Sequence, residues 1–242
     1  MLNNRLRKIL DNFLFPSSVV EKRRGVASFM AEISLGLPDT VIFGGMVREF
    51  SLGHAREFCS DLDLVTRHSR KSIEQFLGGR DWVRNKFGGY RVLQDKWMYD
   101  IWSLEDTWAV QEGYVECTNF DDLLRTTFFD IDSAAFHISS RRLIISAAHV
   151  EAVRSKRLGI NLAENPSPSA MARRAVRMAM RNELSLSREL AHYVVYNYCS
   201  SQPNSLESGY VYSLRRLLDS GECQLVRPEI QPDFFHISWP EN

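Results

Sequence analysis

The sequence predicts an α+β fold, a small mixed or antiparallel sheet followed by a helical C-terminal region. Two observations predict it. Short apolar strands and amphipathic helices are interspersed over residues 1–145, whereas the pattern changes to helical spacing within residues 146–242. With 242 residues, 44% of them apolar, the chain is long enough to bury a sizeable core. We therefore expect a sheet domain over residues 1–145 and a helical region over residues 146–242.

The first elements are predicted to be two helices and two buried strands. Apolar residues recur at helical spacing over residues 4–14 and 19–35, and the stretch "LGLPDT" ends the second helix. The apolar run "VIFGG" predicts a strand that glycine stops, and "MVREFSL" predicts one or two helical turns. The stretch "DLDLVT" alternates with period two, which is typical of a strand.

A helix and two hairpins are predicted next. The stretch "SRKSIEQFLGG" reads as a helix with a glycine stop. The runs "YRVLQ" and "KWMYDIW" predict a strand pair around a tight turn at Asp95–Lys96, and "AAFHISSRRLIIS" predicts a second hairpin around Ser139–Ser140. Residues 120–125 suggest a helical turn. From Ala147 on, the pattern predicts only helices, over 147–158, 168–182, 186–200 and 206–218, before an irregular tail, "RPEIQPDFFHISWPEN".

Charge is balanced overall but unevenly distributed along the chain. The formal net charge is zero, so it indicates no partner. Nine acidic residues and one basic residue lie between Asp100 and Ser133, whereas nine basic residues and only two acidic ones lie between Arg141 and Asn182. This polarity would suit cations on one side and a polyanion on the other. Two solvated helical faces are the plainer interpretation.

Several classes of protein are disfavoured. The four cysteines are scattered without a C-x-x-C pair, so neither a structural zinc site nor a redox motif is indicated. There is no nucleophile elbow of the G-x-S-x-G type, no P-loop and no kinase glycine loop. The N-terminus does not resemble a secretion signal, and no apolar run approaches the roughly 18 residues of a membrane helix. We expect a cytoplasmic protein without a membrane partner.

Asp61 and Asp63 predict a metal site. Residues i and i+2 of a strand point to the same face, so both carboxylates lie on one side while Leu62 and Leu64 lie on the other. Two such carboxylates repel each other and lose hydration when buried, unless a cation lies between them. Hard divalent ions such as Mg²⁺ or Mn²⁺ prefer oxygen ligands and often bridge to substrate phosphates. Asp100, in an apolar and aromatic strand, is the candidate third carboxylate.

Gly44 and Gly45 predict a phosphate site beside those carboxylates. Two glycines between a strand and a helix let backbone amides approach a phosphate without obstruction by side chains. Arg48 follows within one helical turn and can reach the same phosphates with its guanidinium group. Each motif alone is common, but the joint order of strand, paired glycines, arginine and Asp-x-Asp is far more specific.

These motifs together resemble a known family. The stretch "FGGMVREFSLG" followed by "SDLDLVT" resembles the head domain of poly(A) polymerases and CCA-adding enzymes, in the nucleotidyltransferase superfamily that includes DNA polymerase β. That family has Gly-Gly-x-Val-Arg-Asp, a short helix ending in Leu-Gly, and then Asp-x-Asp-Leu. The matching positions are Gly44, Gly45, Val47, Arg48, Leu52, Gly53, Asp61, Asp63 and Leu64. The resemblance extends over about residues 38–182, where "RRAVRMAMR" is similar to the helix that begins the family's neck region.

The resemblance implies a two-metal nucleotidyltransferase with a head-like domain over 1–145 and a neck-like region over 146–242. Such an enzyme transfers a nucleoside monophosphate (NMP) from a nucleoside triphosphate (NTP) to an acceptor hydroxyl and releases pyrophosphate. The implied metal-binding and catalytic residues are Asp61, Asp63 and Asp100, with Asp100 as the general base. The implied nucleotide-binding residues are Gly44, Gly45, Arg48 and, in place of the family's Arg-Arg-Asp, Arg125.

Departures from the family pattern leave the acceptor open. The Arg-Arg-Asp region reads "RTTFFDID" here, and the base-reading Glu-Asp-x-x-Arg region reads "ENPSPSAMARR". An RNA 3′ end is one candidate acceptor, with Arg173, Arg177 and Arg181 on one helical face as contacts for its phosphates. A small molecule or a protein, as in toxin- or defence-type nucleotidyltransferases, is another. A non-catalytic nucleotide- or RNA-binding module on the same fold is the alternative from a different class.

Overall fold

A computed structural model describes residues 2–16, 24–85, 88–199, 205–220 and 225–226. Its contacts divide the chain into two compact units. The first comprises Met1–Ser155 with Asn161–Glu164, and the second comprises Lys156–Ile160 with the chain from Asn165 on. Residues 19–23 of the second predicted helix and the predicted irregular tail after residue 226 lie outside the described residues.

The first unit contains a seven-stranded sheet. Its strands are β1 (Thr40–Phe43), β2 (Leu62–Thr66), β3 (Trp82–Arg84), β4 (Tyr90–Gln94), β5 (Trp97–Ser103), β6 (Ala134–His137) and β7 (Leu143–Ile145). They lie in the order β3-β4-β5-β2-β1-β6-β7. Strands β2 and β5 pair in parallel, and every other neighbouring pair in this sheet is antiparallel. The predicted α+β class with a mixed, mainly antiparallel sheet is confirmed.

Apart from Trp108–Gln111, which the sequence analysis missed, the helices of the first unit lie in predicted stretches. They are α1 (Leu2–Leu14), α2 (Arg24–Gly36), α3 (Gly45–Ser51), α4 (Arg70–Leu77), α5 (Trp108–Gln111), α6 (Phe120–Leu123) and α7 (Ala147–Ser155). Short 3₁₀ turns cover 104–106, 124–126 and 130–132. The sequence analysis missed strand β3, which is only three residues long and exposed throughout.

The two faces of the sheet bury different side chains. Leu62 and Leu64 lie in the larger core with apolar residues of α1, α2, α3 and α4. Val65 lies in a second core, on the other face, with Phe43 and residues of α6. Because strand residues alternate between faces, Asp63 lies on the same face as Val65, away from the larger core. The period-two prediction for "DLDLVT" is confirmed.

The predicted tight turn between β4 and β5 is present. Asp95 and Lys96 both have positive φ values, 51° and 69°. This left-handed backbone at both central residues is typical of the type I′ turn that joins two-residue hairpins. The turn fixes the register, so that Gln94 pairs with Trp97 and Arg91 pairs with Asp100.

The second unit is mainly helical. Its helices are α8 (Pro168–Asn182), α9 (Arg188–Asn197) and α10 (Leu206–Ser220), and they pack on one another through buried residues such as Ala175, Val194 and Leu214. A small sheet is added by the strands β8 (Arg157–Leu158), β9 (Ser185–Ser187) and β10 (Leu225–Val226).

The prediction of helices only after Ala147 is therefore wrong. Lys156 adopts a left-handed backbone with φ 48°, which ends α7 at Ser155 and leaves residues 157–158 to pair with β9. Helix α9 begins later than predicted because Ser187 caps it, its side chain accepting a hydrogen bond from the Leu190 amide at 3.2 Å. The contacts also place α7 with the first unit, beyond the boundary predicted after residue 145.

Within the described residues, no helix combines the length and apolar character needed to cross a bilayer.

Candidate functional site

Asp63 and Asp100 lie side by side in the middle of the sheet. The parallel register of β2 and β5 pairs the Cα of Asp63 with that of Asp100. Neighbouring strands are about 4.8 Å apart, so paired residues on one face are close neighbours. Asp100 is buried, with 8% of its surface exposed, and Asp63 is half-buried. The structure therefore brings together the two strand aspartates that the sequence singled out.

Asp61 lies at the start of the same arrangement. It directly precedes β2, and half of its side-chain surface is exposed. Its Oδ2 is 3.6 Å from a terminal nitrogen of Arg91. Because Arg91 also contacts Asp100, Asp61 belongs to the same cluster of charges. We call Asp61, Asp63 and Asp100 the carboxylate cluster.

Arg91 is a site residue that the sequence analysis missed. It lies on β4 opposite Asp100, and its Nε and Nη2 donate hydrogen bonds to the two Asp100 carboxylate oxygens at 2.9 and 2.5 Å. These hydrogen bonds to Asp100, with the further charges of Asp61 and Asp63, raise the pKa of Arg91. The signal was available. A two-residue turn at Asp95–Lys96 pairs residues equidistant from it, which places Arg91 opposite Asp100.

The donor types of the carboxylate cluster suit a hard divalent cation. Such ions take carboxylate oxygens, and three carboxylates at one sheet face supply them. As the side chains are arranged, no group of three or more His, Cys, Asp or Glu residues within the described chain is positioned to hold a metal ion. A cation is nevertheless present among the carboxylates, namely the guanidinium of Arg91. The guanidinium of Arg91 thus supplies positive charge to this cluster in the structure.

The glycine turn lies next to the carboxylate cluster. Gly44 has φ 65°, which an L side chain would adopt only with strain, and its amide donates to the Ala134 carbonyl at 3.0 Å. A Cβ atom at position 45 would lie 3.8 Å from Nη2 of Arg48 and 4.0 Å from Oδ2 of Asp63. Because residue 45 is glycine, no side chain at this position occupies the space beside the guanidinium of Arg48 and the carboxylate of Asp63.

Arg48 is held by two acidic residues that the sequence analysis did not use. It is buried, its Nε and Nη2 each donate to Oε1 of Glu49 at 3.1 Å, and its Nη1 donates to Oδ1 of Asp132. Burial opposes the charge of Arg48, but the charges of Asp132 and Glu49 outweigh it, and the pKa of Arg48 is raised. The guanidinium is therefore permanently charged and fixed beside the glycine turn.

A cavity of about 540 Å³ adjoins the carboxylate cluster. Its walls combine aromatic, hydroxyl, amide and charged side chains with one glycine. The lining residues are Phe43, Asp63, Asn85, Gly89, Arg91, Asp100, Trp102, Asp106, Thr107, Trp108 and Thr126. Most of them come from β4, β5 and the segment after β5, which is the side of β2 opposite to the glycine turn. Its volume lies within the usual range of small-molecule sites, about 300–1,000 Å³.

Arg125 does not line this cavity. It lies in the 3₁₀ turn next to Thr126, its side chain is mostly exposed, and its Nη1 is 3.9 Å from Oδ1 of Asp122. A role of Arg125 toward a nucleotide stays a prediction.

The arginines of α8 lie in the second unit and are engaged there. Arg173 donates to the Ser169 hydroxyl at 2.8 Å and to the Cys199 carbonyl at 3.2 Å. Arg177 pairs with Glu207 of α10 at 3.1 Å, and Arg181 is exposed. Contact of these three residues with an acceptor RNA likewise stays a prediction.

Comparison with known proteins places the fold. No protein-family model and no curated protein sequence matches the chain. Solved structures do match. A tRNA-processing enzyme in an apo form is 18% identical, with 74% of this chain and 47% of that chain covered and a TM-score of 0.54.

Two CCA-adding enzymes show the same likeness. The Thermotoga maritima enzyme complexed with tRNA is 16% identical, with 81% of this chain and 44% of that chain covered and a TM-score of 0.56. The Bacillus stearothermophilus enzyme in complex with CTP is 17% identical, with 74% and 44% covered and a TM-score of 0.54. The chain thus spans less than half the length of these structures, and the likeness at this identity shows a shared fold. The predicted likeness to the fold of CCA-adding enzymes is confirmed.

Proposed function

We propose that this protein is a metal-dependent nucleotidyltransferase that transfers NMP from an NTP to an acceptor hydroxyl and releases pyrophosphate. One observation carries the proposal: Asp63 and Asp100 are paired across parallel strands, directly beside a glycine turn that carries a fixed arginine. The structurally similar proteins include enzymes solved with tRNA and with CTP, which supports an NTP substrate and an RNA acceptor.

The carboxylate cluster is the proposed reaction centre. Asp61, Asp63 and Asp100 would hold Mg²⁺ or Mn²⁺, which lowers the pKa of an attacking hydroxyl and neutralises a leaving pyrophosphate. Asp100 accepts the proton of the acceptor hydroxyl. The acceptor oxygen then forms a bond to the α-phosphorus while the bond from that phosphorus to the bridging oxygen breaks, and pyrophosphate carries away the electron pair.

The triphosphate is proposed to lie at the glycine turn. The Gly44 amide already donates to Ala134, so a phosphate would meet the amides that follow it. Gly45 leaves the approach between Arg48 and Asp63 open to phosphate oxygens, and Arg48 supplies a positive charge that Glu49 and Asp132 keep in place.

The acceptor is proposed to enter from the other side of β2. The glycine turn follows β1, Asp63 lies on β2 and Asp100 lies on β5, and the cavity extends from these carboxylates to β4 and the segment after β5, away from the glycine turn. Trp102 and Trp108 offer flat surfaces for a ring, such as the terminal nucleobase of an RNA 3′ end. A small-molecule acceptor is the second candidate. It is favoured by the volume of the cavity, about 540 Å³, and by the polar groups that Asp63, Asp100 and Asp106 contribute to its wall.

A non-catalytic nucleotide- or RNA-binding module is the candidate from another class. It is favoured by the ion pair of Arg91 and Asp100, which engages the proposed general base. Isothermal calorimetry with ATP, CTP, GTP and UTP, each with and without Mg²⁺, addresses this candidate. Metal-dependent binding without turnover on any acceptor would favour it over the enzyme.

The test of the enzyme is to follow the label from each α-³²P-labelled NTP into total RNA, protein and metabolites. For Asp63→Asn we expect at least a roughly hundredfold loss of transfer, the scale seen when one charge-stabilising group of an active site is removed. The melting temperature should change by no more than a few degrees, because Asp63 is only half-buried. Asp81→Asn, at an exposed position of the same unit, is the matched control. Full transfer by Asp63→Asn would refute the assigned site.

A further inference from the structure

Arg91 is placed among the carboxylates by the main chain as well as by its side chain. The β4–β5 register puts it directly opposite Asp100, and the type I′ turn fixes that register. Its Nε donates to Oδ1 of Asp100 at 2.9 Å and its Nη2 donates to Oδ2 at 2.5 Å. Two parallel hydrogen bonds of this kind are the geometry of the strongest arginine–carboxylate pairs. The register of the hairpin therefore keeps the two residues opposite each other.

The charges explain why the pair forms. Asp100 is buried, with only 8% of its surface exposed, and a buried carboxylate without a partner is strongly unfavourable. Asp63 is its cross-strand neighbour, and Asp61 lies 3.6 Å from Arg91. Arg91 thus supplies the positive charge that three neighbouring carboxylates require in the structure as it stands.

Arg91 and a divalent ion carry charge of the same sign and draw on the same carboxylates, so each lowers the affinity of the cluster for the other. A divalent ion needs direct carboxylate contacts, at about 2.0–2.1 Å for Mg²⁺. Both oxygens of Asp100 are already hydrogen-bond acceptors for Arg91, and the guanidinium extends to Asp61. The Arg91 side chain has room to move toward the cavity, because 48% of its surface is exposed and it lines the cavity wall.

We propose that Arg91 is an internal counter-ion that competes with the divalent cation for Asp61 and Asp100, so that the cation binds when Arg91 moves away toward the cavity. This inference rests on the proposed function, because it takes the carboxylate cluster as the metal site. It makes Arg91 a positioning residue that sets the affinity for the metal.

The test is direct binding of Mn²⁺ to the full chain, measured from the electron paramagnetic resonance signal of the free ion. For Arg91→Met we expect Mn²⁺ affinity to rise roughly tenfold, the effect of removing one competing charge-assisted pair. Arg91→Gln keeps a hydrogen-bond donor for Asp100 and should also raise the affinity, which provides a second variant if the first does not fold. Arg67→Met, which removes an exposed arginine paired with Asp39 at 3.2 Å, is the matched control and should leave the affinity unchanged.

Two outcomes separate this inference from the proposed function. An unchanged or weaker Mn²⁺ affinity in folded Arg91→Met and Arg91→Gln would overturn the role of Arg91. Adding Asp63→Asn to each protein tests the metal site itself. If Asp63→Asn removes Mn²⁺ binding while the Arg91 variants bind like the unchanged chain, only the competition fails. If Asp63→Asn has no effect on Mn²⁺ binding, the metal site and the proposed function fail together.

Discussion

At the scale of single residues, the site depends on two glycines that do different work. Gly44 turns the chain with a positive φ of 65°, and no atom lies within 4 Å of the position that a Cβ would take. Gly45 has no such backbone conformation, but its Cβ position faces Arg48 and Asp63. Position 44 requires glycine because of its backbone conformation. Position 45 favours glycine because a Cβ there would lie next to Arg48 and Asp63, where phosphate oxygens are proposed to bind.

This difference predicts that alanine at position 44 lowers stability, whereas alanine at position 45 lowers the affinity for an NTP. Gly44→Ala should lower the free energy of unfolding by about 1–3 kcal/mol, because φ 65° with ψ −111° is a backbone conformation that residues with a Cβ rarely adopt. Gly45→Ala should leave stability almost unchanged, because 3.8 and 4.0 Å are ordinary contact distances, yet weaken NTP binding severalfold. Urea denaturation and calorimetry with an NTP measure the two effects. Equal NTP affinity for Gly45→Ala and the unchanged chain would contradict the phosphate site.

At the scale of elements, α7 is joined to α3 and the 130–132 turn by one buried histidine. His149 is fully buried, its Nδ1 donates to the Ile131 carbonyl at 2.7 Å, and its Nε2 lies 2.9 Å from the Ser51 hydroxyl, which itself donates to the Val47 carbonyl at 2.8 Å. Burial lowers the pKa of His149, although the Ile131 carbonyl and Asp132 act in the opposite direction. The neutral ring is therefore part of the support behind Arg48 and Asp132.

This burial predicts a loss of stability in mild acid. In the unfolded chain the histidine pKa is about 6.5, so below that pH the unfolded state binds a proton that the folded state resists. Stability should be fully present above about pH 6.5 and should decline as the pH falls toward the lowered pKa of the folded state, by at most about 1.4 kcal/mol per pH unit for one proton. Denaturant titrations between pH 7.5 and 5.5 measure it.

The matched variants are His149→Gln and His192→Gln. The first removes the titrating ring and should flatten the dependence on pH, whereas the second changes an exposed histidine of α9 and should preserve it. A slope that survives in His149→Gln would assign the effect to another group.

Most elements were predictable because their signals are local. Helical spacing, glycine stops and the Asp95–Lys96 turn each lie within a few residues of the element they define, and the structure follows them. The short strands β3 and β8 were missed because their pairing partners, not their own residues, make them strands. Arg91 and Asp132 were missed for a related reason, since their importance comes from carboxylate or arginine partners brought close by the sheet.

At the scale of the whole molecule, charge limits how an RNA acceptor could bind. The formal net charge is zero, and two of the α8 arginines proposed for RNA already have partners within the second unit, Arg173 with Ser169 and Cys199 and Arg177 with Glu207. For the proposed RNA acceptor we therefore expect few phosphate contacts from this helix, because Arg173 and Arg177 would each have to leave a present partner.

This predicts a shallow dependence of RNA affinity on salt. A protein that neutralises 6–10 phosphates loses about 10³–10⁵-fold in affinity between 50 and 200 mM salt. For this chain we expect a loss of less than roughly tenfold over that range, as for one or two phosphates. Fluorescence anisotropy with a labelled tRNA-like oligonucleotide measures the slope, and a steep slope would restore a phosphate-binding role to Arg173, Arg177 and Arg181.

The β4–β5 hairpin also sets an order of folding events. Its strands are joined by Asp95 and Lys96 alone, whereas β2 is separated from β5 by the whole segment from Arg67 to Lys96. Hairpins form within about 1–10 μs, and more distant segments pair later because closing a longer loop costs more entropy. We therefore expect Arg91 to meet Asp100 before β2 pairs with β5. When β2 then pairs with β5, Asp63 approaches an Asp100 carboxylate that is already paired with Arg91. The electrostatic repulsion between the two aspartates is therefore smaller at that step.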